Sequence, residues 1–255
     1  MSESVKKFVW YDLMTPDIKA AEAFYGKVVG WGATDTGMTG NPYHIFSMGK
    51  TMVAGVMPVP PDMAGAPPIW MGYIGVDDVD AYAKRIVDRG GKVYRGPVDI
   101  PNGVGRFAVV ADPHGVGFAI FTPGAGEPPA DGANDPGRIG WHELHAGDLE
   151  TAWSFYSGLF GWTKSDTFDM GPMGTYQIFA TGGNPAGGMM TKMPQSPQPF
   201  WLFYFNVDGI DAATERIKEA GGQVVNGPVE VPGGQWIVQA VDPQGGMFAL
   251  VAPGH

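Results

Sequence analysis

The 255-residue sequence predicts an α+β fold: four tandem β-α-β-β-β units forming two domains. Three observations predict it. First, the chain repeats itself at an offset of 131 residues, the separation of Trp10 from Trp141, which becomes 130 near the end, where Asp112-Pro113 matches Asp242-Pro243. Trp10-Tyr11-Asp12-Leu13, Asp17, Ala23-Phe24-Tyr25 and Gly30-Trp31 return as Trp141-His142-Glu143-Leu144, Asp148, Ser154-Phe155-Tyr156 and Gly161-Trp162. A repeat this long is a copied domain rather than a solenoid unit. Second, each copy alternates stretches of helical apolar period with short strand-like runs. Third, the 40 glycines and 23 prolines fall at matched positions between those runs, as tight turns joining many strands require.

The elements follow in order. Residues 8–14 read as a strand and 16–29 as a helix with Asp17 in its first turn, because Ile18, Ala21, Phe24, Tyr25 and Val28 recur at helical spacing and Gly30 supplies a stop. Short strands follow near 31–36, 43–48 and 51–57. The pattern restarts with a strand at 69–76, a helix at 78–89 closed by Gly90-Gly91, and strands near 92–98, 104–111 and 117–121. The second copy has strands near 140–146, 162–167, 175–181 and 187–193 and a helix at 148–160. Its later unit has a strand at 200–207, a helix at 209–220 and strands near 223–230, 235–241 and 247–251. Between the copies the chain is rich in Gly, Pro, Ala and Asp without periodicity. The domains are therefore 1–122 and 139–255, with a linker at 123–138.

Composition removes several function classes. Net charge is −10, so a phosphate backbone is not an expected partner. No run reaches the roughly 18 apolar residues of a membrane span. The absence of cysteine removes disulfides, thiolate nucleophiles and thiolate metal sites. Met1-Ser2-Glu3-Ser4-Val5-Lys6-Lys7 contains no apolar signal core, so a cytoplasmic location is expected. Phosphate-loop, nucleophile-elbow and dinucleotide fingerprints are missing.

The acid-led helix, Phe-Tyr, Gly-Trp, the Val76-Asp77-Asp78 lead into the second helix, Gly-Gly and the Asp112-Pro113-His114-Gly115 strand entry, nearly all in duplicate, resemble the vicinal oxygen chelate superfamily. This is the glyoxalase, bleomycin-resistance and extradiol-dioxygenase group, here in its two-domain bacterial glyoxalase-like form. The resemblance implies that each domain curves a mixed sheet around a cleft, with helices outside. It also implies a divalent metal held by His or Glu from inward-facing strands. The implied ligand positions are Trp10, Met71 and Ala119 in the first copy and Trp141, Leu202 and Ala249 in the second. The fourth falls among Val53, Ala54 and Val56, or among Gly187, Gly188 and Met189. None supplies oxygen or imidazole, so no metal and no other cofactor is expected. An atypical divalent ion at Glu143, His145 and a third donor is the alternative.

Strand alternation puts Trp10, Asp12 and Met14 on one face and Trp141, Glu143 and His145 on the matching face. The resemblance makes that face the cleft lining, together with Tyr73, Phe121, Tyr204 and Asn206, and Tyr43 and Tyr176 on facing strands. Such aromatic linings with a few polar groups suit a small aromatic or carbonyl-containing molecule. The first expectation is therefore metal-independent small-molecule binding. A lyase, isomerase or hydroxylase using Glu143 and His145 as acid and base is the second. Side-chain-filled clefts in a structural or regulatory protein are the third. Several blander roles compete. Trp10 and Trp141 would fill the lost metal's space, Asp12 and Glu143 would pair with Arg106 or Lys192 or simply reach solvent, His142 would be a core histidine, and His44 and His114 would sit in or beside turns. Apart from the ligand, the expected association is a monomer with an internal pseudo-dimer, or a homodimer.

Overall fold

A computed structural model describes residues 5–38, 40, 42–124 and 134–255. Four β-α-β-β-β units are present. The first comprises β1 (Phe8–Thr15), α1 (Ile18–Val29), β2 (Gly32–Asp35), β3 (His44–Met48) and β4 (Thr51–Pro58). The second comprises β5 (Ile69–Gly75), α2 (Val79–Asp88), β6 (Lys92–Ile100), β7 (Gly105–Ala111) and β8 (Gly117–Pro123). The third comprises β9 (Ile139–Ala146), α3 (Leu149–Phe160), β10 (Thr163–Asp169), β11 (Thr175–Thr181) and β12 (Asn184–Thr191). The fourth comprises β13 (Phe200–Asn206), α4 (Ile210–Glu219), β14 (Gln223–Glu230), β15 (Trp236–Val241) and β16 (Met247–Ala252).

Within each unit the helix carries the chain from the first strand to the far edge, and a meander returns to lie parallel beside it. The strand orders are β2-β3-β4-β1-β5-β8-β7-β6 and β10-β11-β12-β9-β13-β16-β15-β14. Each mixed sheet therefore comes from one half of the sequence. No helix among the described residues is long and apolar enough to cross a membrane.

Several boundaries differ from expectation. Asp17 lies outside α1, not in its first turn. Its backbone is extended, and its carboxylate accepts from the Ala20 amide at 3.0 Å as an N-cap. Asp78 and Asp148 cap α2 and α3 in the same way, so the helix-leading acids are spent on orphan helix amides. β12 starts at Asn184 rather than 187. Pro123, the expected start of the linker, ends β8, and residues 125–133 of that linker lie outside the described residues.

By contacts the chain divides into two compact units, each drawing on both halves. One contains residues 5–10, 71–124 and 142–201; the other contains 11–70, 134–141 and 202–255. In the first, Tyr156 of α3 is fully buried among Phe118, Trp162 and Trp201. Its hydroxyl accepts from Trp201 Nε1 at 3.1 Å and faces Asp112 Oδ2 at 3.4 Å. In the second, Tyr25 of α1 is fully buried among Trp31, Phe46, Trp70 and Phe248. Its hydroxyl accepts from Trp70 Nε1 at 3.0 Å and donates to Asp242 Oδ2 at 2.9 Å.

The other oxygen of each aspartate accepts two amides of its own turn: His114 and Val116 for Asp112, Gln244 and Gly246 for Asp242. Buried polar groups need such partners. The duplicated Asp-Pro-x-Gly thus shapes a turn and receives a tyrosine contributed by the other half of the sequence. Burial pushes both tyrosine hydroxyls well above their usual ionisation range. Burial also raises the Asp112 carboxyl, against the pull of its amide donors.

Candidate functional site

The polar cluster with chemistry to offer lies on β9. Glu143 and His145 share a face two residues apart, and the carboxylate Oε1 receives His145 Nε2 at 2.8 Å. The other oxygen, Oε2, accepts the Tyr176 hydroxyl at 2.9 Å. The ring of His145 stacks on Phe200 with centroids 4.5 Å apart and planes 7° from parallel. β12 runs parallel to β9 with Gly188 opposite Glu143. A Cβ at Gly188 would overlap the Tyr176 ring, so glycine is what lets the tyrosine cross the strand to reach the carboxylate.

The first half builds a simpler version. Asp12 on β1 accepts the Tyr43 hydroxyl at 2.8 Å, and Gly55 stands opposite Asp12 in register. A Cβ there would overlap both side chains. Where the second half has His145, this half has Met14, a buried thioether. A separate aromatic group lies on β5, β7 and β8: Tyr73 meets Phe107 at 6.2 Å, and Phe107 pairs across the strands with Phe121.

The remaining expected residues divide. Trp10 and Trp141 are half-buried. Tyr204 is buried, and its hydroxyl receives Gln239 Nε2 at 2.8 Å. The amide of Asn206 donates to the Asp135 carbonyl at 3.1 Å, so it anchors the chain entering β9. Arg106 pairs with Asp80 and Asp99 instead of Asp12. Lys192 donates to the Ser196 carbonyl instead of Glu143. His44 opens β3 beside the preceding loop, where it is buried and paired with Glu22.

His142 points away from this face. It is buried, stacks on Phe8 at 4.4 Å and meets the Ala186 carbonyl through Nδ1 at 2.7 Å. Burial lowers its pKa to about 4, against the pull of that hydrogen bond.

Sequence reasoning missed Phe107, Phe200 and Gln239. Alternation along β7 and β15 could have found Phe107 and Gln239. Phe200 falls at the alternate position of β13 that Tyr204 and Asn206 share, so the same alternation could have found it.

The residues present do not fit the divalent metal implied by the fold. Met71, Ala119, Leu202 and Ala249 are buried and, the Met71 thioether apart, bring no donor, and indoles occupy the two first-strand positions. Among the described residues, no three His, Asp or Glu side chains are grouped so as to hold a metal. Both oxygens of Glu143 are engaged by hydrogen-bond donors.

The Glyoxalase/Bleomycin resistance protein/Dioxygenase superfamily matches residues 7–120 and 138–250. The chain is 34% identical over 248 residues to the Mycobacterium bovis protein named "Putative glyoxylase CFP32", covering 96% of this chain and 94% of that one. It is 36% identical over 258 residues to the anthracycline biosynthesis protein DauV of Streptomyces sp. strain C5, covering 95% and 91%. In three dimensions it resembles the Mn(II)-bound glyoxalase of Novosphingobium aromaticivorans. That match has a TM-score of 0.66 and 18% identity over 98% of this chain and 82% of the other. At that identity the likeness shows the fold alone.

Proposed function

Since the chain belongs to the glyoxalase/bleomycin resistance protein/dioxygenase superfamily, we propose that it binds a small aromatic or carbonyl-containing organic molecule without a metal such as the Mn(II) of the Novosphingobium glyoxalase. The observation that carries the reading is the Glu143, Tyr176 and His145 cluster. A carboxylate is fixed by two donors, and an imidazole is fixed by that carboxylate and by the Phe200 ring. Polar groups held in one orientation beside aromatic surface recognise flat molecules bearing oxygen. The relative named for anthracycline biosynthesis supports an aromatic ligand.

The 2.8 Å contact between His145 and Glu143 also favours a second reading, an enzyme of lyase, isomerase or hydroxylase type that uses this pair as acid and base. Tryptophan-fluorescence quenching over a panel of aromatic and carbonyl metabolites tests the first reading. Saturable quenching is expected, weakened by Glu143→Gln, and no quenching by any compound overturns it. Turnover of a bound compound, abolished by Glu143→Gln, would move the reading to the enzyme. Metal analysis of the purified protein checks the metal-free premise. One transition metal near stoichiometric amount overturns it.

A further inference from the structure

Resting on that binding reading, we propose that the second half takes its ligand as an anion: His145 Nδ1 removes the proton of an acidic hydroxyl, a phenol or an enol, while the first half has no such base. The tautomer follows from the partner. A carboxylate oxygen accepts at 2.8 Å from Nε2, so the ring proton sits there and the neutral imidazole's lone pair is on Nδ1. His145 makes no other hydrogen bond among the described residues. The one buried side-chain polar atom lacking a partner among them is Thr15 Oγ1, so Nδ1 reaches solvent.

The rest of the cluster holds this geometry. Phe200 packs flat on the imidazole, and Tyr176 fixes the second carboxylate oxygen. Glu143 faces the ring directly, and the Lys192 ammonium is turned to the Ser196 carbonyl at 2.7 Å. A proton arriving at Nδ1 leaves Nε2 still donating to the carboxylate already in contact.

The step balances within the pair. The ligand O–H bond breaks, its electron pair stays on oxygen, and its proton forms a bond to Nδ1. The products are a phenolate or enolate and an imidazolium, with no redox partner required. In the first half Asp12 and Tyr43 repeat the carboxylate and its hydroxyl donor. Met14 stands where the base would be, so one ionising site is expected per chain. The suitable hydroxyl is one far more acidic than an alcohol's. Simple alcohols are excluded and electron-poor phenols and 1,3-dicarbonyl enols are favoured.

The test uses the full chain with 4-nitrophenol, whose neutral and ionised forms absorb at different wavelengths, and 4-nitroanisole, which has the same shape without the proton. Tryptophan quenching reads binding, and the phenolate band reads ionisation of the bound probe below its solution pKa. The expected result is one phenolate per chain, with the bound phenol's ionisation constant raised roughly tenfold or more, one pKa unit or more. His145→Gln is expected to bind the phenol in neutral form. Binding of the phenol without the phenolate band, equal ionisation by His145→Gln, or binding of the anisole alone overturns the proposal and leaves the binding reading standing. Quenching by neither probe nor any compound of the wider panel overturns both. The comparison of phenol with anisole on the unaltered chain does not depend on a variant folding.

Discussion

Replacing His142 by phenylalanine separates a buried base from its ring. The stack on Phe8 at 4.4 Å is kept, while the hydrogen bond to the Ala186 carbonyl at 2.7 Å is lost. Losing that bond costs about 1 kcal/mol at neutral pH. Acid reverses the order. The folded-state pKa of His142 lies at about 4, below its ordinary 6.5, because burial penalises the charged ring. The unfolded chain therefore takes the proton first. Stability is full above the unfolded value and is lost as pH falls from about 6.5 toward about 4. The loss reaches about 3 kcal/mol at pH 4.

The phenylalanine variant has no proton to take, so its curve lacks this slope. The two curves cross near about pH 6, where the wild-type loss equals about 1 kcal/mol, and below that the variant is the more stable protein. The raised Asp112 carboxyl works in the opposite sense, adding stability as it protonates, and the lowered Glu22 carboxyl removes stability on acidification. Both groups are common to the two proteins and cancel in the difference. Urea unfolding followed by tryptophan fluorescence between pH 7 and 4, with m-values unchanged, gives the curves. Parallel curves with no crossing would refute a neutral, desolvated His142.

Three further outcomes are expected. Tyr25→Phe leaves the Trp70 indole and the Asp242 carboxylate without the hydroxyl they share, costing about 3 kcal/mol. Tyr156→Phe costs roughly 1 kcal/mol less, because its contact to Asp112 is already 3.4 Å. It also raises the Asp112 pKa further, which carboxyl NMR titration reads. Equal losses in the two variants would refute the ranking. Gly188→Ala drives a methyl into the Tyr176 ring and should cost about 1–3 kcal/mol of stability. It should also weaken ligand binding at the second half; a variant with unchanged quenching and melting would sink that account. Thr15→Val removes the buried hydroxyl without a partner and should add about 1 kcal/mol, seen as a melting point higher by about 2–4 °C. A lower melting point would show that Thr15 Oγ1 is satisfied after all.

How much was legible in the sequence depended on range. The repeat ordered all four units, because local period and turn chemistry agree within each copy. Phe24 and Tyr25, which recur at helical spacing, and their repeat counterparts Phe155 and Tyr156 are buried. The tyrosine that meets each carboxylate was harder to place. Tyr43 and Tyr176 differ by 133 residues, as do Gly55 and Gly188, so an offset of 131 misaligns the strands that make the cluster. The Tyr25–Asp242 and Tyr156–Asp112 pairs were invisible, since each joins a helix of one copy to a turn of the other. A motif read inside its own copy cannot disclose a partner supplied from outside it.

Those crossed tyrosine–aspartate pairs also set a timetable for synthesis. Tyr25 leaves the ribosome early, but the carboxylate that receives its hydroxyl follows 217 residues later. Asp112 waits 44 residues for Tyr156. The first copy is thus made whole only by the second, and during translation it must stand with buried-type polar groups still bare. A chain truncated after the first copy would expose the same groups permanently, as a target for chaperones and proteases rather than a smaller working protein.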